Sequence, residues 1–190
     1  TKTCISGNPP WVETAAPADT STYFSYGSSN YWKLAALASR VYDAGTTIPS
    51  VLPVVTSGVC QTGVTSNWGE LQRLSPTNAC ESFFPIIHAK GDLHITGGRG
   101  QGILLVDGNL KLSGSFWFSG VVIVRGTLST AGSGAGVLGA VMAANISLDE
   151  EITSVLGNSY IQYSSCAVQQ ALVNTSMVKP ARERGWVEVF

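Results

Sequence analysis

Four stretches of the chain hold residue types that could do chemistry. His88, Asp92 and His94 lie close together in IIHAKGDLHI, and two imidazoles with a carboxylate are ligands that a divalent transition metal accepts. A metal site needs the three to converge. On a strand, residues two apart point the same way at separate places, so exposed positions on a strand face are the better reading. Asp149, Glu150 and Glu151 form an acidic run, but it lacks the alternating spacing of a calcium loop, which favours a solvated corner. GGRGQG at 97–102 has the glycines of a phosphate loop without the Lys-Ser/Thr that would follow, so these read as turn glycines. No serine sits in a GxSxG elbow. Phe116, Trp117 and Phe118 are the remaining set; strand alternation turns some outward, where a Trp serves binding, while burial of the ring is an equal alternative. We therefore expect no catalytic residues, no metal and no cofactor. Phe116, Trp117, Phe118 and Trp68 are the expected interaction surface.

The elements that must hold these residues are visible in a repeat. GILLVDGNLKLSG (102–114) and GVVIVRGTLSTAG (120–132) are nearly the same phrase. Gly91, Gly108, Gly126 and Asn145 open one set of short runs, at steps of 17, 18 and 19 residues. Gly102, Gly120 and Gly139 open a second set, at steps of 18 and 19. Segments around Gly97–Gly100, Ser115–Phe118 and Gly134–Leu138 would make a third side. Such a repeat is too short for most strand–helix units, whereas three short strands joined by tight glycine turns fit it.

The expected fold is mostly β: a short parallel β-helix, or β-solenoid, of about 18–19 residues per coil. Right-handedness is a prior from strand twist. Leu93, Leu110 and Leu128 would stack inward as one ladder, and Leu105, Ile123 and Met142 as another. Asp107 and Arg125 would mark corners. Along the equivalent set Asp92, Asn109, Thr127 the acidity fades, unlike the stacked carboxylates of pectinolytic β-helices.

Solenoid ends need covering. Residues 1–27 read as an extended arm with a strand near Thr22–Tyr26. Leu34, Leu37, Ala38 and Val41 recur at helical spacing between Ser28–Asn30, which offer N-cap oxygens, and Gly45, giving an amphipathic helix over 30–44. YIQY (160–163) reads as a last strand, and Ser164 or Ser165 caps a C-terminal helix, CAVQQALVN. RERGWVEVF would add an edge strand. The expected division is 1–57 for arm and helix, 58–82 for a stapled loop and 83–190 for the solenoid with its C-terminal helix and tail, together one compact domain.

Composition narrows the class of function. The 190 residues carry a net charge of −1 and only 12% charged residues, against about 25% in an average soluble protein. That gives no general attraction to nucleic acid or to anionic membrane. No apolar run approaches the ~20 residues that span a bilayer. The chain starts at Thr1 rather than Met, as expected of a processed product or a piece of a longer protein, so any membrane attachment would be through an upstream anchor. Of the four cysteines, Cys60 and Cys80 bracket a long polar loop that a disulfide would staple, which points to an oxidising compartment. A Cys4–Cys166 pair stays open.

The stretches GILLVDGNLKLSG, GVVIVRGTL, YIQYSSCAVQQAL and the closing RERGW resemble the C-terminal domain of bacterial PilX-type, pilus-assembly-associated proteins, over roughly residues 58–190. The resemblance implies an extracellular or cell-surface module of the bacterial envelope, structural or adhesive rather than enzymatic. Its partners would be other pilus-like components or further copies of itself. A self-assembling solenoid like the bactofilins is the alternative, although those are cytosolic and do not rely on disulfides. A carbohydrate-binding or carbohydrate-active β-helix protein is a third reading.

Overall fold

The computed structural model of the protein describes residues 24–26, 29–71, 79–131, 134–148 and 159–175. Residues 1–23, Cys4 among them, the acidic run 149–151 and the tail 176–190 lie outside the described residues. The chain enters through an antiparallel pair, β1 (Ser25–Tyr26) and β2 (Ser29–Asn30), followed by α1 (Tyr31–Ala35). The Asn30 side chain caps α1 by accepting from Lys33 N at 2.9 Å. α1 is much shorter than the 30–44 expected. Leu37 and Val41 fit a helical stripe, yet Ser39 N donates to Ile86 O at 2.9 Å and draws the chain into a ladder. Val41 then lies on strand β3 (Arg40–Tyr42), and Gly45 turns the chain from β3 into β4 (Thr46–Ile48) instead of ending a helix.

The rest is a parallel β-solenoid of about three turns. Its strands are β7 (Ile86–Ala89), β8 (Leu93–Ile95), β9 (Gly98–Val106), β10 (Leu110–Ser113), β11 (Phe116–Ala131), β12 (Gly136–Leu148) and β13 (Tyr160–Tyr163). A hairpin, β5 (Val55–Thr56) with β6 (Val59–Cys60), stands apart. The first side stacks β3, β7, the end of β9 and the middles of β11 and β12. The second stacks β4, β8, β10 and the ends of β11 and β12. The third stacks the starts of β9, β11 and β12 with β13. Because β3 and β4 pair with β7 and β8, the solenoid begins at Arg40, well before the boundary expected at 83. Asn145 pairs with Thr127 rather than Gly126, since a register irregularity follows Val124.

Alternation decides which residues fill the interior. Leu93, Leu110 and Leu128 stack inward as expected. Leu105, Ile123 and Met142 stack in register too, but outward, and this corrects the inward assignment. Inside are Ile87, Leu104, Val122 and Val141. The first side is thus apolar on both faces, as a strand covered on both faces must be. Tyr31 and Leu34 of α1 cover its outer face, together with Ala171 of α2 (Ser165–Asn174). Ser164 caps α2 as expected, accepting from Ala167 N at 3.3 Å. α2 lies along the flank of the stack, packed on β9, β11 and β12.

Between the first and second coils the chain makes a detour. It leaves the third side at Val51, whose carbonyl accepts from Arg99 N at 2.7 Å, and returns at Trp68, whose carbonyl accepts from Gln101 N at 2.8 Å. The first rung of the third side is therefore built in two pieces. A disulfide joins Cys60 to Cys80 across this detour, with Cα atoms 4.9 Å apart. Cys166 is an exposed thiol, unpaired among the described residues.

Candidate functional site

The polar residues of the repeat hold the coils together. Asp92 Oδ1 accepts from Asn109 N at 2.7 Å and from Asn109 Nδ2 at 3.1 Å. Asn109 Oδ1 then accepts from Thr127 N at 2.9 Å. Each side chain thus satisfies a backbone N–H of the next coil at one corner. The preceding glycines are required by this arrangement: a β-carbon on Gly126 would lie 2.6 Å from Asn109 Oδ1. At the same end of the first side, His88 Nε2 lies 3.1 Å from Asp107 Oδ2, and Tyr31 OH donates to Asp107 Oδ1 at 2.8 Å. That triad ties α1 to the coil. His94 points away from it, 2.8 Å from Ser113 Oγ. His88, Asp92 and His94 therefore go to three different contacts, and among the described residues no three His, Cys, Asp or Glu side chains converge.

Charges follow one another down the corner after the first side. Asp43, Lys90, Asp107 and Arg125 each follow a residue of the same ladder. Lys90 Nζ lies 3.3 Å from Asp43 Oδ1. Arg125 lies over the rings of Trp32, Phe24 and Tyr31, closest to Trp32 at 4.5 Å.

The detour is fixed by buried polar contacts. Glu70, fully buried, accepts from Arg99 Nε at 2.5 Å and Nη2 at 2.7 Å, and this bidentate bond raises the Arg99 pKa. Asn67, also buried, donates to Gln61 O at 3.0 Å and sits against both disulfide sulfurs. Trp68 Nε1 donates to Tyr42 OH at 3.0 Å. Burial pushes the Tyr42 phenol up and the Arg40 guanidinium down.

Of the expected interaction surface, Trp68, Phe116 and Phe118 are almost fully buried, at 0%, 0% and 1% exposure. Their rings meet edge-on inside the solenoid, Trp68 to Phe116 at 6.2 Å and Trp68 to Phe118 at 6.4 Å. These three are corrected to core residues, because the triplet alternates and the detour brings Trp68 in to meet the two inward rings. Of the four, Trp117 alone faces out.

Around Trp117 lies a cleft of about 860 Å³, between the outer face of the third side and the start of α2. Its floor is two columns set by the ladder register. One runs Trp117, Gly136, Tyr160, with Arg99 ahead of Trp117 on the same ladder but outside the lining, and the other Gln101, Ser119, Leu138, Gln162. Gly136 leaves room between the aromatics: a β-carbon there would lie 3.0 Å from the Trp117 ring. Trp117 and Tyr160 consequently meet edge-to-face at 4.9 Å. Ser164, Cys166 and Gln170 form the wall, and Leu71 closes one end. Arg99, ahead of the first column, is held by Glu70. Among the described residues the lining itself contains no Asp, Glu, Lys or Arg. The spacing of Tyr160 and Gln162 shows their shared face in the sequence, but their place beside Trp117 depends on a register that the sequence does not spell out.

No protein-family model, curated protein or solved structure matches this chain.

Proposed function

We propose that this chain is a non-enzymatic structural and adhesive module of the bacterial envelope or extracellular space, associated with pilus-like assembly. The observation that carries the reading is the use of its polar groups. Asp43, Glu70, Asp92, Asp107, His88 and His94 are each engaged in contacts that join coils, helix or detour. The result is a cross-tied solenoid segment of about three turns that offers surfaces to partners. The Cys60–Cys80 bond supports an oxidising compartment, and among the described residues no helix is long and apolar enough to cross a membrane. The link to pilus-like assembly comes from the sequence resemblance.

The test is made in the bacterium that produces the chain. Immunogold labelling should decorate the envelope or its filaments, and deletion should reduce piliation or adhesion. A cytosolic label with unchanged piliation would overturn the proposal. A second reading, self-assembly, is favoured by β3 and β4, which among the described residues pair on one side only. Filaments formed by the purified chain, seen by electron microscopy, would favour that reading.

A further inference from the structure

We propose that the cleft beside Trp117 binds a neutral, extended β-1,4-linked glycan. The inference deepens the adhesive reading and rests on it for its biological setting, but the binding chemistry stands on the cleft itself. Sugar rings present apolar C–H faces and a rim of hydroxyls. They are held by aromatic faces together with neutral groups that both donate and accept. The cleft supplies both. Trp117 and Tyr160 give an aromatic column, while Ser119 and Gln162 give a hydroxyl and an amide in the adjoining column. Gln170 lines the wall from α2.

No charged side chain is among the described lining residues, and Arg99 beside the cleft is held by Glu70, which disfavours phosphates, nucleotides and acidic sugars, whose charge would enter the cleft without a partner. The cleft is also of ligand size, since small-molecule sites occupy about 300–1,000 Å³.

Geometry selects the linkage. The floor is a β-surface whose rungs repeat at about 4.8 Å, comparable with the advance of one sugar unit along an extended chain. A β-1,4-linked chain is a flat ribbon that can lie along successive rungs. An α-1,4-linked chain coils away from such a floor.

Binding is measured on the purified full chain by saturation-transfer NMR and calorimetry with cellotetraose and chitotetraose. Maltotetraose and tetragalacturonate serve as comparisons. At least one of the two β-1,4 tetramers should bind with a Kd of about 1 mM or tighter. Trp117→Ala should weaken it by about tenfold or more, while Trp117→Phe, which keeps an aromatic face, should stay within about threefold. Gln162, exposed on β13, gives a variant that leaves the core untouched, and Gln162→Ala should weaken binding several-fold with an unchanged melting curve. Bound glycan should also slow alkylation of Cys166 on the wall.

No binding of either β-1,4 tetramer, tighter binding of maltotetraose or tetragalacturonate, or binding indifferent to both Trp117→Ala and Gln162→Ala would overturn the inference. Such a result would leave the localisation of the chain unaffected, so the two proposals fail separately.

Discussion

Asp92 looks like a metal ligand beside two histidines, yet its carboxylate is spent on the backbone of the next coil. Replacing it with Asn keeps an acceptor where Asn109 already shows that an amide works. Asp92→Ala leaves Asn109 N without its partner and should cost about 1 kcal/mol, with Asp92→Asn near neutral, read by denaturant unfolding. Glycine is subject to a sharper test. Gly120 has φ +140°, and a β-carbon there would overlap the Gly102 carbonyl oxygen; Gly45 has φ +76° with nothing within 4 Å. Gly120→Ala should therefore lower the melting temperature far more than Gly45→Ala, whose cost is conformational strain of about 1–2 kcal/mol. Tyr42 gives a pH dependence. Its phenol holds its proton more tightly in the folded chain than in the unfolded one. The folded state therefore binds more protons once pH passes the ordinary phenol value of about 10. That contribution is complete below this pH and is lost as pH rises through the folded value. Tyr42→Phe should flatten this alkaline slope in stability measured against pH.

Among the elements, the detour from Val51 to Trp68 matters most, because it completes a rung and delivers an aromatic to the core. The disulfide holds its far side. Replacing Cys60 and Cys80 together with Ser should cost about 3 kcal/mol, the scale for a loop of this length, measured by chemical denaturation. The loop and its bond were readable from the two cysteines and the polar stretch between them. That the loop plugs the core was not, since Trp68 lies far in sequence from the rings it meets. The helix over 30–44 failed for a physical reason. Leu34, Leu37, Ala38 and Val41 satisfy a helical period, but pairing of Val41 with His88 offers backbone hydrogen bonds that the local pattern cannot reveal. YIQY and the Ser164-capped helix were readable because alternation and capping are local.

At the scale of the whole molecule, repeating glycines and leucines made the solenoid legible. Corner glycines recur at steps of 17 to 19 residues because each coil must turn where its neighbour turns. The covered flank was harder to read. GILLV is apolar at every position after its glycine, so its pattern does not say which residues face in; only Tyr31, Leu34 and Ala171 on the outer side settle it. The three sides differ in what covers them: the first is buried by helices, the second shows Thr47, His94, Lys111 and Ser129 in register, and the third carries both the detour and the neutral cleft. This fits a stapled envelope module acting by contact. The most direct measurement is acid-quenched, thiol-trapped mass spectrometry of the chain taken from fractionated cells that produce it. The account predicts that it is found outside the cytoplasm with Cys60 bonded to Cys80. A cytosolic pool carrying both thiols reduced would contradict it.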